Sequence, residues 1–200
     1  MRTRHHIVAI ACSIAFNGVH AVPGFAQSDM SGRPEVLTSL VLAGSAEVLR
    51  VYGHSEAEPP RAVLPPNLTF APMYRRTIES MLERSPGFRR QSQRIALAEH
   101  LTVRLENLFP SGQRGSRART RIARTPDGRL EAIVQLSPLD NLPELIAHEL
   151  EHIIEQLDGV DLGVQASLPG TGVRTCDDGS FETIRAARVG TMVARQLRAR

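Results

Sequence analysis

The sequence predicts an α+β fold, a single small domain with a short mixed sheet, and three stretches carry that prediction. Leu142–Leu157 sets Leu142, Ile146, Leu150, Ile153 and Leu157 on one helical stripe, with cap residues before it and Asp158-Gly159 as a stop after it. Residues 117–124 and Leu130–Leu136 are strand-like runs around Thr125-Pro126-Asp127-Gly128, a turn signal that makes a β-hairpin the simplest reading. Residues 72–84 bring Thr77, Ile78, Met81 and Leu82 to helical spacing behind Pro72, which is suited to a first turn.

Taken in chain order, residues 1–26 read as a secretory signal peptide. Arg2 and Arg4 form a charged start, a short apolar run follows from Ile7 to Phe16, and small residues come next. Cleavage fits after Ala21 or Ala26, and Ala26 is preferred because polar residues begin directly behind it. The apolar run is far short of the ~20 residues that span a bilayer. The protein is therefore expected to be secreted or periplasmic, without stable membrane insertion after cleavage. Residues 27–200 form the single domain, with 22 arginines against 21 acidic residues, a net charge of about +1. Cys176 is the one cysteine of that stretch and is read as a free thiol, so stability must come from the core or from a metal.

Residues 35–52 are apolar and fit either helix or strand, and residues 56–66 are proline-rich and read as a linker or extended segment. Pro86-Gly87 ends the 72–84 helix. The imperfect alternation of Leu97, Leu101, Val103 and Leu105 with polar residues favours a half-buried strand. Asn141 is placed to cap the next helix, with Pro143 in its first turn and Glu144 three residues after the cap. Residues 160–180 hold four glycines with weak periodicity and read as a long loop. Residues 181–197 carry Ile184, Val189, Met192, Val193 and Leu197 at helical spacing and read as a closing helix.

The chemistry is concentrated in His148-Glu149-Leu150-Glu151-His152. A four-residue spacing sets the two imidazoles one above the other on a helix face, where both can bind one zinc ion. Glu149 then reaches the water on the metal rather than the metal itself. Zinc lowers the pKa of that water toward ~7, and the carboxylate can take the proton as the water attacks a carbonyl.

With this motif the sequence resembles the zincin superfamily of metallopeptidases over roughly residues 133–188. The resemblance implies an active-site helix behind a small sheet, with Leu130–Leu136 near the substrate edge. It also implies Zn2+ as cofactor, a peptide or protein as substrate, and Glu149 as general base and then acid. The fourth motif position is usually small or uncharged in that superfamily, and here it is Glu151. Catalytic zinc takes three protein ligands, so a third must join His148 and His152. Residues 153–200 contain no histidine, which excludes the branch that uses a third one soon after the motif. Glu182 resembles the downstream glutamate of the gluzincin branch and is the preferred ligand. Glu155, Asp158, Asp161, Asp177 and Asp178 stay open as alternatives.

Arg185 and Arg188 are the nearest candidates for stabilising an oxyanion or pairing with Glu182. His54 and His100 are lone histidines more in keeping with ordinary polar positions. Six arginines between Arg114 and Arg129 form a basic stretch without interleaved aromatics. In an exported protein that pattern fits a charged, edge-protecting strand face better than a nucleic-acid surface, so no nucleic-acid partner is expected. An exported zinc-binding domain without turnover, and an arginine-rich surface-binding module, are the competing classes.

Overall fold

Alternating burial builds the sheet. In the computed structural model, which describes residues 7–8, 64–108, 117–137 and 141–199, β1 (Ile7–Val8) and β2 (Leu68–Phe70) are short. β3 (Leu101–Asn107), β4 (Ala118–Arg124) and β5 (Leu130–Leu136) have seven residues each. Leu101, Val103 and Leu105 of β3, Ala118 and Ile122 of β4, and Ala132, Val134 and Leu136 of β5 all point inward and are buried. Thr120 is the one polar residue among these inward positions, in register with Val134, which in turn faces Leu105.

The strand order is β1-β4-β5-β3-β2. β2, β3 and β5 are parallel neighbours, whereas β4 is antiparallel to β5 and β1 is antiparallel to β4. The sheet is therefore mixed and the fold is α+β, as the sequence predicts. The 125–128 turn closes the expected hairpin, with Gly128 at a φ of 85°, a left-handed conformation that favours glycine. β5 lies inside the sheet, so β4 and not Leu130–Leu136 flanks the antiparallel side.

Five α-helices occur among the described residues. A 3-10 turn at Pro72–Tyr74 leads into α1 (Arg75–Arg84), close to the expected 72–84 helix. Pro86-Gly87 does not simply end that helix. It opens α2 (Pro86–Ala96), where the Ser85 hydroxyl accepts a hydrogen bond from the Phe88 amide at 3.0 Å and caps the first turn. α3 spans Leu142–Leu157, as the sequence predicts. The Asn141 side chain does not cap the backbone and instead donates to the Glu144 carboxylate at 2.8 Å.

The expected 160–180 loop is largely structured. It contains α4 (Leu162–Ser167), capped by Asp161, and β6 (Val173–Thr175), which pairs antiparallel with β7 (Phe181–Thr183) in a separate two-stranded sheet. Left-handed glycines at Gly170, Gly172 and Gly179 make these tight connections possible and also hide their periodicity. The closing helix begins three residues later than expected, as α5 (Ile184–Arg198), because residues 181–183 are extended.

α3 packs on β4 and β5 and is crossed by α5, with α1 and α2 also against it. Every residue from Leu145 to Glu155 is buried, so the face opposite the apolar stripe is covered too. No described helix is long and apolar enough to cross a membrane. Cys176 is a free, partly exposed cysteine. The apolar segment 35–52, most of the proline-rich segment 56–66, both leader cleavage positions and His54 lie outside the described residues.

Candidate metal centre

α3 supplies two imidazoles from consecutive turns, and their Nε2 atoms lie 3.2 Å apart. The rings meet edge to face, with centroids 4.9 Å apart at 78°. Glu182 arrives from β7 with its Oε1 3.3 Å from His148 Nε2. The three donor groups all lie within 4.8 Å of one another, and all three residues are buried. The structure thus brings together residues 30 positions apart in the chain.

Local chemistry explains how Glu182 gets there. The Cys176 amide donates to the Ser180 carbonyl and the Gly179 amide to the Cys176 carbonyl, closing the β6–β7 turn. Thr183 ends the strand and caps α5, its hydroxyl accepting from the Ala186 amide at 2.9 Å. Glu182 is held between turn and helix, and its Oε1 also accepts from the Thr183 amide at 3.1 Å.

Glu149 is fully buried. The Thr120 hydroxyl of β4 donates to its Oε2 at 2.5 Å, while Oε1 has no hydrogen-bond partner. Burial pushes the Glu149 carboxyl above the usual range, with help from the Glu182 charge, against the lowering influence of His148, His152 and Thr120. Burial alone would lower the His152 pKa. The hydrogen bond and charge of Glu155, with the charges of Glu149 and Glu182, outweigh that and raise it.

The alternative ligands are engaged elsewhere. Glu155 Oε2 lies 2.9 Å from His152 Nδ1, on the far side of the ring from His148. Asp158 pairs with Arg94 and with Arg185, the latter at 2.9 Å. Burial would raise its carboxyl, but the hydrogen bonds and charges of those two arginines hold it below the ordinary range. Asp161 caps α4, Asp178 accepts from the Ser180 amide at 3.1 Å, and Asp177 is exposed. His100 is exposed in the turn before β3.

Glu151, the unusual motif residue, is buried and matched. Arg185 Nε donates to its Oε1 at 2.7 Å, and Gln91 Nε2 donates to its Oε2 at 2.7 Å. Arg185 therefore bonds Glu151 and Asp158, and Arg188 lies exposed on α5. A charge at this position is tolerable because α2 and α5 both supply partners to it.

No family model, no curated protein and no solved structure matches this chain. The reading of the centre therefore rests on its own geometry.

Three features of that geometry escaped the sequence. Thr120 is a polar residue at an inward strand position, which its register among Ala118 and Ile122 would have flagged. Glu155 is weighed from the sequence only as an alternative ligand, and its contact with the Nδ1 side of the His152 ring, three residues before it, goes unforeseen. Gly190 of α5 meets α3 where His148 stands, since a Cβ there would lie 2.8 Å from the Glu144 carbonyl oxygen and 3.1 Å from His148 Cβ. Gly190→Ala is accordingly expected to push the two helices apart and to destabilise the protein by about 1–3 kcal/mol. Denaturant unfolding of parent and variant checks this, and an unchanged midpoint would show that the crossing accommodates the methyl group.

Proposed function

We propose that this protein is a secreted or periplasmic zinc-dependent metallopeptidase. The observation that carries the reading is the convergence of His148, His152 and Glu182 beside the unpartnered Oε1 of Glu149. Two imidazole nitrogens and one carboxylate oxygen form the donor set of a catalytic zinc, which keeps a further position open for chemistry. A buried carboxylate oxygen without a hydrogen-bond partner beside that set is costly in an inert helix and useful in a general base.

His148, His152 and Glu182 would hold the ion. Bound zinc supplies Lewis acidity, polarising a carbonyl oxygen and lowering the pKa of water toward ~7. The remaining work falls to Glu149. Thr120 fixes Oε2, which leaves Oε1 to accept a proton from the attacking water as its oxygen bonds to the peptide carbonyl carbon. The same oxygen then delivers that proton to the departing amine as the C–N bond breaks. Burial raises the Glu149 carboxyl above the ordinary range, which makes its carboxylate the stronger base for the first step.

Elemental analysis of purified protein and turnover of a mixed peptide library test the proposal together. Close to one zinc per molecule with cleaved peptides is the expected result. Zinc without cleavage would leave an exported zinc-binding domain, and the absence of zinc would sink the metal reading.

A further inference from the structure

Glu155 makes two buried contacts that tie separate elements of the centre. Its Oε2 faces His152 Nδ1 at 2.9 Å, and its Oε1 accepts from the Thr183 hydroxyl at 2.7 Å. Its side chain is only 3% exposed. We propose that Glu155 is the positioning residue that joins the two halves of the metal site, orienting His152 from one oxygen and the Glu182 strand from the other. The inference rests on the zinc reading above and deepens it.

An ionised carboxylate only accepts hydrogen bonds, so both groups facing Glu155 must be donors. In the neutral form that a metal ligand requires, a His152 ring with its hydrogen on Nδ1 keeps its lone pair on Nε2, the atom turned toward His148. Thr183 carries the second half of the link. Its amide donates to Glu182 Oε1, and its hydroxyl both donates to Glu155 and accepts from the Ala186 amide. One side chain thereby sets the tautomer and rotation of one ligand and anchors the residue next to another. Glu155 is not itself the third ligand, because the His152 ring stands between its carboxylate and the Nε2 atoms.

Glu151 and Arg185 provide a contrast. They also join α3 to α5, through a 2.7 Å ion pair, with Gln91 and Asp158 as further partners. A contact that merely holds helices together should affect stability alone. A positioning contact should also alter the metal.

The test compares the parent with Glu155→Leu, Glu155→Gln, Thr183→Val and Arg185→Leu. Zinc affinity is measured by chelator competition, the visible absorption of the Co2+-loaded protein reports the ligand field, and unfolding of the metal-free protein reports stability. Glu155→Leu should weaken zinc binding by about 10- to 100-fold and shift the Co2+ bands. Glu155→Gln retains an acceptor for Nδ1–H and should recover part of that affinity. Thr183→Val should weaken binding in the same direction, and it carries the test if Glu155→Leu does not fold. Arg185→Leu should lower stability with parental affinity and bands. Parental affinity and bands in both Glu155→Leu and Thr183→Val would overturn the inference while leaving the zinc site standing. If Glu155→Leu abolishes binding and Glu182→Gln does not weaken it, Glu155 is a ligand and the inference fails. A parent that takes up no zinc overturns both the inference and the function on which it rests.

Discussion

Glu149→Gln is expected to keep the protein's zinc and to lower peptide hydrolysis by about 10²- to 10⁴-fold, the usual range for loss of a general acid–base group. Glutamine has nearly the volume of glutamate, so the fully buried position stays filled. Its amide oxygen can still accept from Thr120, which preserves the 2.5 Å contact with β4. What disappears is the basic oxygen. His148, His152 and Glu182 are unchanged, so the ion should remain. Steady-state kinetics on a substrate the parent cleaves, with zinc content measured on the same samples, separates the two effects. Retained hydrolysis would remove Glu149 from the mechanism, whereas joint loss of zinc and activity would show that it holds the centre together.

His152→Ala should take zinc from close to one per molecule to background. The substitution deletes an imidazole whose Nε2 is 3.2 Å from that of His148, and it strips Glu155 of one of its two donors. Leaving a buried acceptor unpaired costs about 1–3 kcal/mol, so the metal-free protein should also lose stability. Glu182→Gln is the milder companion. It removes one charged donor from the edge of the group, so affinity should fall while excess zinc restores occupancy and at least part of the activity. Metal titration distinguishes the cases. Parental zinc content in His152→Ala would place the metal away from α3, and parental affinity in Glu182→Gln would reopen the search for a third ligand.

The parts of the fold legible in the sequence are those with strong local signals. α3 matches the residues expected of it because its apolar stripe, its Pro143 and its glycine stop all agree. The β4–β5 hairpin is equally clear, since alternation and a Pro-Asp-Gly turn point the same way. α2 escaped because Ser85-Pro86-Gly87 reads as a break, although the same serine and proline suit a helix start. The 160–180 region escaped because glycine-dependent turns separate elements of six and three residues, too short to show a period. For the site, helical spacing alone sets His148, Glu149 and His152 on neighbouring turns of α3. Glu182 required a resemblance, because a contact across 30 residues of turns and short strands has no local signature. Thr120 could be flagged from its alternation with Ala118 and Ile122, whereas the Glu155 contact depends on ring orientation, which only the folded chain displays.

The burial of α3 on every side also bears on how freely its sequence can drift. An ordinary surface helix has a solvent-facing third to half of its positions where most substitutions are nearly neutral, and tolerance then rises and falls every 3.6 residues. From Leu145 to Glu155 that relief is missing, since each position meets sheet, helix or strand. Leu150 and Ile154 are as enclosed as His148 and His152. Intolerance to change along this helix therefore carries no periodic wave, and it marks the packing residues as strongly as the chemical ones.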